Sequence, residues 1–464
     1  MRWRQLGVRR STSFQLLSVN SVARFRPPLT VRQRHRARTL ACWNGVVWAM
    51  GNGLVSSLLV IYIAMDLKAP GVGFGVGMIR AAPQLAGLLR ISAPAFIDRW
   101  TDRKHFCLGA FLLSALALLG VPLLAMPGWL PSARVALALL VALWGVYHLL
   151  EYLGTVALWS WLGDLVPQRI RGAFLGRRER WMVGGQAVAF IASGAFIYVW
   201  RQQYPLPDRA WIGYAAPAAV GACFMLLAVL PLAQMPGLVS RSAPKARSAI
   251  AAIFAPLADP AFRRLLLFGC WFSFSNGITL PVQEMYPRQV LAVEYAFLTT
   301  SILATGMRCG QWLVSPWLGR LADRWGNRPV MIGSLAIVAT GPLFFFLASP
   351  AQPAWIAGTW IAWIAFAGLN VCLPNLTLKL APPQSNASYI ATYYAVTGLC
   401  VSLATLAGGR LYDLFGRQRY PLAAGLPALD YAHAAFLASW LLRSLGVLLL
   451  LWLVVEPRRS VAVG

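Results

Sequence analysis

Acidic side chains are scarce in this chain: 14 Asp and Glu stand against 41 Lys and Arg, and charged residues make only 12% of the whole. So little charge cannot cover a soluble body of 464 residues, which excludes an ordinary globular protein. Paired cysteines are absent as well. Cys42, Cys107, Cys223, Cys270, Cys309, Cys372 and Cys400 lie in or beside apolar runs, and none forms a Cys-x-x-Cys pair. That excludes a disulfide framework and a zinc site, and the thiols read as packed and reduced. There is no P-loop, and the alternating Gly71, Gly73, Gly75 and Gly77 do not follow a strand of a βαβ unit. A dinucleotide reading therefore fails, no cofactor or metal is implied, and these glycines read as close-packing or hinge residues.

What is present is apolar length. Hydrophobic residues make 58% of the chain, and the mean hydropathy is +0.61. A formal net charge of +27 would suit nucleic acid, but most Lys and Arg sit in short gaps between apolar runs of membrane-spanning length. The implied partner is the lipid bilayer, not nucleic acid. A spanning helix needs ~20 apolar residues at ~1.5 Å rise each. Twelve such segments are predicted, at roughly 40–65, 71–97, 106–126, 135–163, 181–200, 210–233, 264–287, 293–318, 330–348, 354–379, 387–408 and 431–455. The expected fold is an all-α polytopic membrane protein, with twelve transmembrane helices in two pseudo-symmetric six-helix bundles.

The expected organisation is a basic disordered tail (1–39), a first bundle (40–233), a linker (234–263), a second bundle (264–456) and a short tail (457–464). The N-terminal tail holds Arg2, Arg4, Arg9, Arg10, Arg24, Arg26, Arg32, Arg34, Arg36 and Arg38, no acid, and no apolar signal core. Its composition resembles a transit peptide; a cytoplasmic tail is the favoured reading. Basic residues also set orientation. With the tail inside, the inner loops gather Arg99, Arg103, Lys104, Arg169, Arg171, Arg177, Arg178, Arg180, Arg241, Lys245, Arg247, Arg320, Arg324, Arg328 and Lys379. The outer loops hold few, except for Arg410, Arg417 and Arg419 before the last segment. Both termini are expected in the cytoplasm, and the location is an inner or plasma membrane.

One phrase occurs twice. Asp98-Arg99-Trp100-Thr101-Asp102-Arg103 recurs half a chain later as Asp323-Arg324-Trp325-Gly326-Asn327-Arg328. Asn52-Gly53 and Tyr62 recur in register as Asn276-Gly277 and Tyr286. Together these matches indicate duplication, which points to transport rather than chemistry. Gly319-Arg320-Leu321-Ala322-Asp323-Arg324-Trp325-Gly326-Asn327-Arg328 is similar to the loop signature of the major facilitator superfamily, Gly-x-Leu-Ala-Asp-Arg-x-Gly-x-Arg. The first copy departs from it, with Pro94 and Thr101 at the two glycine positions. The resemblance implies that the 2–3 and 8–9 loops help hold a cytoplasmic gate shut when the site faces out. The implied gate residues are Asp98, Arg99, Arg103, Asp323, Arg324 and Arg328, with Arg171 from the 4–5 connector. A carboxylate at such a helix end suits the positive N-terminus of a neighbouring helix.

Of the acids, Glu151 is read as the one deep within a predicted segment, ~20 Å from the inner end of its helix. Arg308, Asn52 and Asn276 fall at a similar depth. An ionised group there is costly unless it meets water or a partner, so Glu151 leads the candidate list. Two roles compete. Glu151 can carry a proton, with His148 one turn away, or it can form an ion pair with Arg308 across the halves. His148 taken alone reads equally as a packing residue. Arg80 is placed near the outer interface; if it and Arg308 face the cavity, the field there favours an organic anion. Arg443, in the last segment, reads as packing or headgroup contact. Trp360 and Trp363 share a helix face, Asn370 is a candidate hydrogen-bonding group, and Trp355 reads as an interface anchor.

The expected function is secondary active transport of a small organic solute by alternating access, coupled to protons through Glu151, by a monomeric non-enzyme. A membrane-embedded transferase and a non-transporting sensor of the same fold are the alternatives. Within transport, a drug/proton antiporter is the alternative, set back because helix 4 lacks the exporters' arginine motif and helix 5 lacks their Gly-Pro motif.

Overall fold

The computed structural model describes residues 30–90, 103–166, 168–205, 209–237, 255–293, 295–381, 386–416, 418–420 and 429–453. Local chemistry sets where its helices begin. Thr30 and Gln33 form a reciprocal capping box, with Gln33 N donating to Thr30 Oγ1 at 3.2 Å and Thr30 N donating to Gln33 Oε1 at 3.0 Å. The helix Val31–Leu54 therefore starts well before the apolar run. Residues 31–39, expected as disordered tail, are its first turns; hydropathy finds the buried length of a helix and is blind to a capped polar extension. The helix breaks at Val55 (φ −98, ψ 65), and Ser56 caps its continuation Ser57–Asp66 by accepting from Leu59 N at 3.2 Å. The expected linker ends at 259 rather than 263: Asp259 Oδ1 accepts from Ala261 N at 2.8 Å and starts Pro260–Gly277. At the far end of the chain, Asp430 accepts from His433 N at 2.9 Å and so caps Tyr431–Leu453. Burial alone would raise the Asp430 carboxyl, but hydrogen bonds from the His433 ring and backbone outweigh it and hold it below its usual range.

Ten helices among the described residues are long and apolar enough to cross a bilayer. They are Val31–Asp66, Lys104–Leu124, Ala133–Leu162, Phe174–Gln203, Ile212–Ala233, Pro260–Gln289, Asn327–Leu347, Pro353–Leu380, Ser388–Phe415 and Tyr431–Trp452. Two more helices lie among them. Val72–Gly87 is short over its described length, and Ala296–Trp325 carries Arg308, Arg320, Asp323 and Arg324. Among the described residues there are also short 3-10 turns such as Ala255–Ala258, an isolated bridge between Ser349 and Gln352, and one two-residue antiparallel pairing, Arg419–Tyr420 with Leu429–Asp430. This is a multi-pass, nearly all-helical membrane protein.

The signature at 319–328 is not a loop. Gly319 to Trp325 form the last turns of the 296–325 helix, Gly326 alone makes the corner, and Asn327 opens the next helix. Gly326 has φ 95 and ψ 164, a conformation closed to residues with a Cβ. Replacing Gly326 by Ala is expected to cost about 1–3 kcal/mol of strain. Thermal unfolding of the purified protein reads it; an unchanged midpoint would show that the corner relaxes freely.

Several bonds between the two halves of the sequence lie on one face, the connector face, which carries residues 66–72, 209–212, 289–293 and 429–431. There Asp413 reaches across to the N-terminus of the 72–87 helix, its two oxygens accepting from Gly73 N and Phe74 N at 2.8 Å each. A carboxylate on exposed helix N–H groups is favoured by both hydrogen bonding and the helix dipole. Gly73 lies against Gly409, where an added Cβ would stand 2.6 Å from the Gly409 carbonyl oxygen. Arg288 bonds Asp66 and the Tyr62 carbonyl, Gln202 donates to Tyr295 Oη at 2.5 Å, and Phe297 packs edge-on against Tyr62 at 5.3 Å. On the opposite, terminal face two ties within one half stand out. Lys104 Nζ donates to the Ala233 and Met235 carbonyls at 2.7 and 2.8 Å, and Arg328 bonds the Leu451 carbonyl.

Candidate functional site

Beneath the closed connector face lies a cavity of about 400 Å³. Both halves wall it. The 31–66 helix supplies Asn52, the 72–87 helix Arg80, the 133–165 helix Trp144 and His148, and the 168–203 helix Gln186 and Phe190. The second half supplies Glu284, Arg308, Phe345, Trp360, Trp363 and Phe366. A second space of about 590 Å³ adjoins it toward the terminal face and shares Asn52 and His148. Glu151, Tyr152, Gln84 and Tyr394 line that lower part. Aromatic walls carrying a few convergent polar groups are the usual make-up of a small-molecule site.

Polar side chains in this space form two sets. In the first, Arg308 Nη1 donates to Gln186 Oε1 at 3.0 Å, Gln186 Nε2 to Asn52 Oδ1 at 2.6 Å, and Asn52 Nδ2 to Tyr147 Oη at 3.3 Å. This chain of donors and acceptors joins both halves through neutral groups, so the Arg308 charge is hydrogen-bonded there without being neutralised. In the second, Arg80 and Glu284 form an ion pair, again from opposite halves, with side chains 31% and 12% exposed. Glu151 accepts from Thr155 Oγ1 at 2.9 Å on its own helix. His148 is 9% exposed, its ring edge-on to Trp144 at 4.6 Å, and its Nε2 is buried with no hydrogen-bond partner among the described residues.

The structure brings together Glu151, His148, Asn52, Arg80 and Arg308 around the joined cavities. The expected ion pair between Glu151 and Arg308 does not form: each has a neutral partner instead. Arg80, expected at the outer interface, turns inward to Glu284. Glu284 was missed because it lies near the end of its predicted segment, where a carboxylate normally meets water. Its side chain is nonetheless largely buried, so Glu151 is not the only acid inside the helical body. Asn276 and Asn370 do not line the cavities. Asn276 Nδ2 bonds the Phe272 carbonyl of its own helix at 2.6 Å, and Asn370 is exposed. Trp360 and Trp363 do share a face, their rings 5.5 Å apart. Arg443 is packed rather than headgroup-bound, 1% exposed with its guanidinium 5.7 Å from the Trp363 ring centroid.

Of the expected gate residues, Asp98 and Arg99 lie outside the described residues, as do the side chains of Arg103 and Arg171. Asp323 and Arg324 stand exposed in the last turn of the 296–325 helix. Arg328 ties the following helix to the end of the 431–453 helix, within its own half.

Comparisons with known proteins agree with this architecture. Residues 285–463 match the family model of the Major Facilitator Superfamily. The chain is 27% identical to the class C tetracycline resistance protein of Escherichia coli over 191 residues, 40% of this chain and 42% of that protein. The match thus spans less than half of that relative's length. Among solved structures, the nucleoside transporter NupG covers 90% of this chain and 97% of its own, with TM-score 0.63 and 14% identity. A D-xylose-proton symporter gives TM-score 0.66 at 13% identity, covering 91% of this chain and 98% of its own. A bacterial homologue of the human lysosomal transporter Spinster, inward-facing and occupied, gives 0.62 at 15%, covering 92% and 96%. The stretch matched by the family model contains the 319–328 signature.

Proposed function

We propose that this protein, which has the major facilitator fold, is a secondary active transporter of a small organic solute working by alternating access. Ten apolar helices and the two helices at 72–90 and 296–325 are read together as twelve spans in two six-helix bundles over 40–233 and 264–456. The observation that carries the reading is the cavity walled by both halves and capped on the connector face by cross-half bonds. A rocking motion that breaks Asp413 from Gly73 and Phe74 would expose the same cavity to the other side. The basic-residue asymmetry places both termini in the cytoplasm of an inner or plasma membrane, so the arrangement described faces inward. The gate that closes the terminal face is assigned to Asp98, Arg99, Arg103, Arg171, Asp323, Arg324 and Arg328. The working unit is read as a monomer.

Arg308 supports an anionic substrate, since its nearest described partner is neutral Gln186. Glu151 supports proton coupling: a carboxyl beside the lower cavity, bonded to a hydroxyl rather than to a cation, can take and release a proton as access changes. His148, bordering both cavities, lies one turn away on the same helix. Organic anions that raise the thermal midpoint of the purified protein are the compounds to assay in sealed proteoliposomes. Glu151→Gln should abolish uptake driven by a pH gradient while leaving substrate exchange at zero gradient intact. Full gradient-driven uptake by the variant would remove Glu151 from the coupling path. Binding with no passage across the vesicle would favour the sensor.

A drug/proton antiporter is the second reading. The aromatic wall of Trp144, Phe190, Phe345, Trp360, Trp363 and Phe366 suits a flat polycyclic compound, and one relative is a tetracycline resistance protein. Tetracycline belongs in the same screen.

A further inference from the structure

A separate cavity of about 430 Å³ opens on the connector face, away from the central site. Its wall includes Asp66, Lys68, Arg201, Trp211, Tyr214 and Arg288. Three cations therefore surround one carboxylate. Arg288 bonds Asp66, and Arg201 Nη2 stands 4.0 Å from the same carboxylate. Lys68 is exposed and has no ion partner among the described residues.

The two guanidinium groups are held in place from behind. Arg201 lies over the Tyr214 ring at 5.3 Å and bonds its hydroxyl; Arg288 lies over the Tyr62 ring at 5.1 Å. Planar guanidinium groups fixed by stacking are suited to an oxyanion. Lys68 has φ 50, a left-handed backbone that a non-glycine residue rarely adopts. The turn thus holds a lysine at the rim where glycine or asparagine would be easier. Asp66, Lys68 and Arg201 come from the first half of the chain and Arg288 from the second, so the cluster is complete only while this face is closed.

We propose that this cavity binds a phosphate-type anion and that the bound anion holds the connector face closed. Excess positive charge supplies the attraction. A ligand that fits only the closed arrangement shifts the population toward it by mass action. The same chemistry is offered by free phosphate and by the headgroup of an acidic phospholipid. The site uses none of the central-cavity residues and is read by binding alone, so it stands or falls separately from the transport reading.

The test uses the purified full-length protein. Inorganic phosphate is titrated at constant ionic strength against chloride, with the thermal midpoint as readout. A parallel arm compares nanodiscs of phosphatidylcholine with nanodiscs containing phosphatidylglycerol. A saturable rise with free phosphate identifies a soluble anion; a rise confined to phosphatidylglycerol identifies a headgroup. In the responding arm, Lys68→Gln should weaken the apparent affinity about threefold, the scale of one exposed charge pair. Asp66→Asn should tighten it about threefold by removing the competing carboxylate, a change that a purely structural role for Asp66 would not produce. No rise in either arm overturns the proposal, and so does a rise that Lys68→Gln leaves unchanged. Because the Lys68 side chain is exposed and makes no described bond, that variant keeps the fold and its result is decisive.

Discussion

Arg80→Gln is expected to abolish transport and to unfold at a lower temperature than the double variant Arg80→Gln/Glu284→Gln. The single change leaves the Glu284 carboxylate in a largely buried wall without its cation. Breaking a buried pair by removing one partner costs about 3–5 kcal/mol, whereas removing both charges is often close to neutral. The double variant should therefore recover stability. It should not recover transport, because the pair joins opposite halves across the cavity and its making and breaking accompanies the change of access. Thermal midpoints of the wild type, both single variants and the double variant form one cycle. If the single and double variants unfold together, the two groups are not coupled in the way the geometry indicates.

Gly409→Val is expected to stop transport by a different route, holding the connector face open. Gly73 and Gly409 meet backbone to backbone, and a Cβ on Gly409 would fall on the Gly73 carbonyl. Neither helix can give way cheaply, because main chain meets main chain there. Valine should separate the 72–87 and 386–415 helices and take Asp413 out of reach of Gly73 N and Phe74 N. A single cysteine placed at Gln202, in a background free of the seven native thiols, should then react faster with a membrane-impermeant maleimide added from the connector side. Asp413→Ala should have the same sign and a smaller effect, since it removes two hydrogen bonds and adds no clash. Unchanged labelling in Gly409→Val would mean that this contact does not close the face.

Much of the helical layout was legible in the sequence. Runs of ~20 apolar residues are required by the bilayer, and the chain shows them directly. Depth was legible too, since position along a helix is residue number times rise. Glu151, Arg308 and Asn52 were placed near one level on that basis, with His148 one turn from Glu151, and they border one pair of joined cavities. Azimuth was not legible. Asn276 was placed at the same depth and bonds its own helix, while Arg80 faces Glu284 rather than the headgroups. The pairing of Glu151 with Arg308 failed for the same reason: shared depth does not bring two side chains together. The helical turns at 31–39 escaped notice because a capping box, rather than hydropathy, starts that helix.

By itself, then, the sequence determined a multi-pass helical membrane protein with a repeated charged phrase and a few ionisable groups at cavity depth. It did so because lipid tolerates only apolar helices and punishes every unpaired charge. Only the tertiary structure decided the partners: Arg80 with Glu284, Arg308 with Gln186, and Asp413 with the first turn of a helix more than three hundred residues earlier. Those choices depend on how each helix is rotated about its axis and where its neighbours touch. Backbone-to-backbone contacts such as Gly73 with Gly409 settle that rotation, and they exist only once the helices have packed.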